Sequence, residues 1–169
     1  MLRNYKAFWK QWARMGYNLM NAGAGRRRGS YNVNEQPAGF RELEHTADWE
    51  LEVWGPDLPS MFEQAARGMY SLKGVRLQPR PRVDRTMEIY ASDPESLLVS
   101  FLAELLFLEE VEGLGFDTFE LRLEPTRLSA QMNGAPIASP GKDIKAVTYH
   151  NLVIRRTERG REANIVFDV

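Results

Sequence analysis

Between Asp93 and Gly113 the chain sets Leu97, Leu98, Phe101, Leu102, Leu105, Leu106 and Leu108 at helical spacing, an apolar surface too wide to lie on one stripe. Such a helix must be covered on most sides, so it predicts a central element with other structure built around it. Asp93-Pro94-Glu95 opens it with a cap, a first-turn proline and an acid near the positive end of the dipole. A second helix follows Gly55-Pro56-Asp57, with Asp57 as N-cap and Leu58, Met61, Phe62, Ala65, Ala66, Met69 and Tyr70 on its buried face.

The remaining segments alternate like strands. In Trp49-Glu-Leu-Glu-Val-Trp54 the residues Trp49, Leu51 and Val53 share one face and Glu50 and Glu52 the other, which is the pattern of a half-buried sheet. Phe40–Glu44, Val83–Ala91, Phe119–Leu123, Leu128–Met132, Lys145–Thr157 and Ile165–Phe167 complete the set. Asn133-Gly134 is a turn signal, Lys73–Pro81 and Ala135–Lys142 read as loops, and Glu158-Arg-Gly160 turns the last two strands on each other. Two main helices packed on a mostly antiparallel or mixed sheet of about six to seven strands define an α+β, two-layer expectation.

With 169 residues, 43% of them hydrophobic, the chain is sized for one core. The absence of cysteine removes disulfides, thiolate catalysis and zinc–thiolate sites. The net charge of −1 conceals two different objects: residues 1–36 carry seven basic residues and one acid, leaving 15 basic and 22 acidic residues in 37–169. The leader mixes Trp9, Trp12 and other apolar residues with Lys and Arg before Arg26-Arg27-Arg28, without the roughly 20 continuous apolar residues of a membrane span. It reads as a poorly ordered extension, an isolated amphipathic helix, a transit-type segment or an over-called start, ahead of a domain over 37–169. No membrane association is expected, and the expected location is the cytoplasm.

Chemistry is sparse. His45 and His150 are the only histidines, and the domain contains neither a Gly-x-Ser-x-Gly elbow nor a phosphate-cradling glycine loop between strand and helix. Oxygen ligands are the better option. Asp48, Asp168 and the carboxylate of Val169 offer three anionic groups to a hard cation such as calcium or magnesium, which takes about six to eight oxygens in the calcium case. From spacing alone Asp48 reads equally as a turn or capping residue, and Asp168 as a solvent-facing strand residue. Lys145 and His150, at opposite ends of Lys145-Ala-Val-Thr-Tyr-His150, read either as a working pair or as a solvated lysine and a hydrogen-bonded structural histidine.

Taken together, Glu44-His45-Thr46-Ala47-Asp48, Phe62-Glu-Gln-Ala-Ala66, Leu97-Leu98 with Phe101-Leu102-Ala-Glu104-Leu105-Leu106, Ile144-Lys-Ala-Val-Thr-Tyr-His150 and the closing Phe167-Asp-Val169 resemble the archease family, in the family's order. The resemblance spans about residues 39–169. It implies an accessory protein, not itself an enzyme, that promotes guanylylation and multiple turnover of an RtcB-type RNA ligase in tRNA splicing and RNA repair. It meets tRNA or other RNA only indirectly. It also implies a divalent metal, foremost calcium, with magnesium or manganese as alternatives, held by Asp48, Asp168 and Val169, with His45, Lys145, Tyr149 and His150 in supporting or partner-binding roles. A chaperone-like adaptor without metal chemistry is the alternative. Two departures stand out: Trp49-Glu50 follows the acidic turn where the family has a small or aliphatic residue and glycine, and Ala138-Ser139 replaces a common family histidine.

Overall fold

A computed structural model of the protein describes residues 37–43 and 48–169; the leader 1–36 and the turn holding His45 lie outside the described residues, with the expectations placed on them. In chain order the elements are β1 (Gly39–Leu43), β2 (Trp49–Gly55), α1 (Leu58–Lys73), β3 (Arg76–Leu77), β4 (Val83–Tyr90), α2 (Pro94–Glu112), β5 (Leu114–Glu124), β6 (Arg127–Ser139), β7 (Ala146–Val147), β8 (Arg155–Thr157) and β9 (Gly160–Asp168). The fold is α+β, and every strand pairing is antiparallel.

The strands form two sheets. In the first, β2 lies between β1 and β9, and the far edge of β9 is shared by β7 near its end and β8 near its start. In the second, β6 is the spine, paired with β4, β5 and, past the end of β4, the short β3. The helices touch both sheets: α1 packs on β1, β2 and β5, and α2 on β4, β5, β6 and β7. Their facing side chains, with Leu51, Val53, Ile165 and Phe167 beneath and Phe119, Leu128 and Met132 across, make one continuous core.

Both helices begin and end where the local chemistry says they should. Asp57 accepts the Ser60 N–H at 2.8 Å and Asp93 accepts the Ser96 N–H at 2.7 Å, while Gly74 and Gly113 close the helices in the left-handed conformation. The helices run side by side in the same sense. Phe62 and Phe101 stack near their starts with centroids 6.3 Å apart, and Lys73 and Glu109 form an ion pair of 3.2 Å near their ends. That pair is almost fully buried, with the two side chains 5% and 8% exposed. Burial pushes the Glu109 carboxyl up against the opposing pull of Lys73, and burial beside the Glu109 charge pushes the Tyr70 phenol up as well.

Several local expectations are corrected. The loop expected over Ala135–Lys142 is strand as far as Ser139, and the loop expected over Lys73–Pro81 contains β3, because these two stretches pair with each other. Asn133-Gly134 is not a turn but lies inside β6, whose turn to β5 is Pro125-Thr126. Gly134 is needed for close approach instead: a Cβ there would sit 2.0 Å from the Gly115 carbonyl oxygen, beside the register shift at Phe116/Thr118. Asn133 is held in the ladder by Arg82 at 2.7 Å and Asp84 at 2.6 Å. Likewise Lys145–Thr157 is not one strand. It breaks after β7 into a turn with Asn151 at φ 53° and a Leu152 N–H to Tyr149 oxygen bond of 3.2 Å. Burial of Leu152 in the core and capture of the Ile154 N–H by Glu95 at 2.9 Å outweigh continued pairing with β9.

Lys73→Met leaves the Glu109 charge buried and unpaired, so it should cost about 3–5 kcal/mol in urea unfolding at neutral pH. Burial raises the Glu109 carboxyl above its ordinary value, so it takes up a proton more readily in the folded state as pH falls, and the deficit should shrink toward that ordinary value of 4.5. A double variant, Lys73→Met with Glu109→Leu, should recover most of the loss; a cost equal to that of the single variant at every pH would contradict this account.

Candidate functional site

The site is assembled by the β2–β9 register. Trp49 pairs with Phe167, Leu51 with Ile165 and Val53 with Ala163, all facing the helices; continuing by one position sets Asp48 opposite Asp168. Glu50, Glu52, Glu162, Asn164 and Asp168 therefore alternate to the outer face of the sheet. On the other side of β9, Ala146 pairs with Asp168, the Lys145 N–H donates to the Asp168 carbonyl at 2.8 Å, and Lys145 Nζ donates to the main-chain oxygen of Val169 at 3.0 Å. Asp48, Lys145, Asp168 and Val169 thus meet at one end of the first sheet, though they are 97 or more positions apart from first to second in the chain.

Lys145 is delivered there by the end of α1. The Lys142 N–H donates to the Lys73 carbonyl at 2.8 Å, and Gly141 at φ 75° passes so close that a Cβ would lie 1.9 Å from that oxygen. Lys142 then reaches back over the Trp49 ring, 5.1 Å from its centroid. This contact covers the unusual Trp49 on the helix-facing side of the sheet, and neither residue type at that spacing announces it in advance.

Neither the Asp48 nor the Asp168 side chain has a hydrogen-bond or ion-pair partner among the described residues. Like charges brought together where two strands end repel, and a cation between them would relieve that repulsion. Two carboxylates and a main-chain oxygen are the donor types that hard cations take, and they fit such an ion. Among the described residues no three His, Cys, Asp or Glu side chains gather closely enough to hold a metal alone, so main-chain oxygens or water would complete its shell.

The other predicted residues lie apart from this cluster. Tyr149 is 58% exposed, and His150 is exposed with Nε2 3.0 Å from Asn151 Nδ2. His150 lines a hollow of about 190 Å³ on the outer face, with Glu50, Asn151, Arg155, Glu162 and Asn164. Glu50 and Val166, also on its wall, are two positions inward from Asp48 and Asp168. Asn164 donates to Glu50 at 2.8 Å and so restrains the extra acid of the rim. Among the described residues no helix is long and apolar enough to cross a membrane.

A small α+β domain of two antiparallel sheets, with paired carboxylates where its first long strand meets its last, is the class of protein this geometry defines. Residues 40–169 match the archease protein family (MTH1598/TM1083), and the chain belongs to that family. It is similar to protein archease of Thermococcus gammatolerans, 36% identical over 130 residues covering 72% of this chain and 92% of that one. Protein archease of Pyrococcus abyssi is 33% identical over 139 residues, covering 77% and 98%. The solution structure of protein 1598 of Methanobacterium thermoautotrophicum matches with a TM-score of 0.61 and 27% identity, over 78% of this chain and 99% of that one. The crystal structure from Thermotoga maritima described as an archease and possible chaperone shares the fold, with a TM-score of 0.57 at 23% identity, over 76% and 96%.

Asp48→Asn or Asp168→Asn should relieve the opposed charges and raise stability by roughly 0.2–1 kcal/mol when unfolding is followed in the presence of a chelator. Destabilisation of more than about 1 kcal/mol by either substitution would mean the carboxylates are structural.

Proposed function

We propose that this protein activates an RtcB-type RNA ligase, promoting its guanylylation and multiple turnover in tRNA splicing and RNA repair. Asp48, Asp168 and Val169 hold a divalent cation for that purpose, calcium foremost and magnesium or manganese as alternatives. The observation that carries this reading is the juxtaposition of Asp48 and Asp168, without a cationic partner among the described residues, in a chain of the archease family. Bound there, the cation would supply charge neutralisation for phosphate groups at the ligase's nucleotide site.

The chain's own residues do the rest. Asp48 and Asp168 bind the ion, and the Val169 oxygen is shared between it and Lys145. Lys145 keeps the strand end in register and presents a positive charge to an approaching phosphate or partner carboxylate. Trp49 is held beneath Lys142, while exposed Tyr149 is offered to the partner. His150 supports the segment between β7 and β8. The protein works in the cytoplasm as an accessory factor and performs no ligation itself.

An adaptor role without metal is favoured by one separate observation: Phe107 and Val111, one turn apart on α2, are 51% and 63% exposed. It predicts client binding that ignores chelators. The deciding experiment measures guanylylation of a purified RtcB-type ligase with and without this protein. Asp48→Ala and Asp168→Ala should each reduce stimulation at least about tenfold, with calcium affinity falling in parallel by calorimetry. Full stimulation by both variants would sink the metal reading.

A further inference from the structure

At the opposite end of β9 from Asp168, the β8–β9 hairpin carries Arg155, Arg156, Arg159 and Arg161, and no lysine. Arg156 and Arg161 are Cα partners across the two strands and so project to the same side. Like charges directly opposed are destabilising, and carboxylates are plentiful in this acidic body. Elsewhere Arg41, Arg67, Arg82, Arg85 and Arg127 each hold one, and Arg80 and Arg122, without one among the described residues, stand singly instead of opposed to another arginine. Yet Arg155, Arg156 and Arg161 have no ion-pair or hydrogen-bond partner among the described residues.

Arg159 shows what these three lack. It is tied to Glu52 at 3.0 Å and Glu162 at 2.7 Å and lies 4.5 Å over the Trp54 ring, which fixes the hairpin tip. Its neighbours are therefore presented from a firm frame. Among the described residues β8 pairs only with β9, and alternation puts Arg155 on the outer face and Arg156 on the other. Both helices begin at this end. A Cβ at Gly160 would meet the Gly55 oxygen and Pro56 just before α1, and Ile154 is bonded to Glu95 in the first turn of α2.

We propose that this arginine hairpin binds the phosphodiester backbone of a nucleic-acid strand. Guanidinium forks match phosphate oxygens bidentately, and a phosphate exposes acceptors on more than one side. One phosphate can therefore serve both Arg156 and Arg161. The domain is then electrically divided: a cation-attracting end at Asp48 and Asp168, and an anion-attracting end at the hairpin. The choice of RNA as ligand rests on the RNA-processing reading above; the anion site does not.

The test is fluorescence anisotropy of a short labelled single-stranded RNA with the full chain, without ligase and in chelator, from about 50 to about 200 mM salt. Arg156→Gln with Arg161→Gln should weaken binding about tenfold at the lowest salt and reduce the salt slope by about 0.7, the contribution of the one phosphate they share on a single strand. Adding Arg155→Gln should reduce both further, while thermal unfolding followed by circular dichroism stays unchanged. A parallel variant, Arg26→Gln/Arg27→Gln/Arg28→Gln, separates the leader's contribution and should leave the hairpin's slope difference intact. The proposal is overturned if the wild-type chain does not bind RNA at the lowest salt, if the hairpin variants bind with unchanged affinity and slope, or if polyglutamate displaces the RNA as well as unlabelled RNA does. Because no ligase is present, failure here leaves the activator reading standing, and failure of ligase stimulation leaves this one standing.

Discussion

The pairing of β2 with β9 is the constraint on which the rest of the structure depends. It joins the first long strand of the domain to its last, and its seven paired positions put Leu51, Val53, Ala163, Ile165 and Phe167 on one face against the helices. Because side chains alternate with a period of two, the same register sends Glu50, Glu52, Glu162 and Asn164 outward and brings Asp48 to Asp168. A slip of one residue would turn the core side outward and separate the two carboxylates at once. Burial of the apolar face thus enforces the geometry of the acidic end.

A second constraint runs through the parallel helices. Lys73 uses its side chain to join α1 to Glu109 of α2 within the core and its carbonyl to hold the loop at Lys142. Three residues later that loop delivers Lys145 to the Val169 oxygen. A buried ion pair costs more in desolvation than a surface one and contributes little net stability compared with apolar packing. What this one provides is a fixed point from which the chain re-enters the sheet beside the acids. At the far end, Arg159 stacked on Trp54 and bound to Glu52 and Glu162 plays the corresponding part for the hairpin.

Much of the fold was legible in the residues. The caps at Asp57 and Asp93, the apolar face of α1, the crowded surface of α2 and the alternation of β2 are local patterns, and each became the expected element. Where reading failed, long-range packing overrode a local signal. Asn133-Gly134 has turn chemistry, but its glycine is used to admit the Gly115 carbonyl within β6. The run after Lys145 has strand composition, but Leu152 gains more from the core, and the Ile154 N–H from Glu95, than from the ladder. The candidate residues could be picked out by type, but not where each would lie, since His150 faces the outer hollow with Glu50 and Asn164 instead of the strand end.

By itself the sequence determined the α+β class, the helix limits and which acids were candidates, because propensity, capping and periodicity act within a few residues of one another. Only the tertiary structure decided that Asp48 lies opposite Asp168, that Lys145 rather than His150 stands beside them, and that Trp49 is covered by Lys142. It also decided that Arg156 and Arg161 are opposed with no carboxylate partner among the described residues. These facts depend on which strands pair and in what register, a choice made by burying one shared core across positions far apart in the chain.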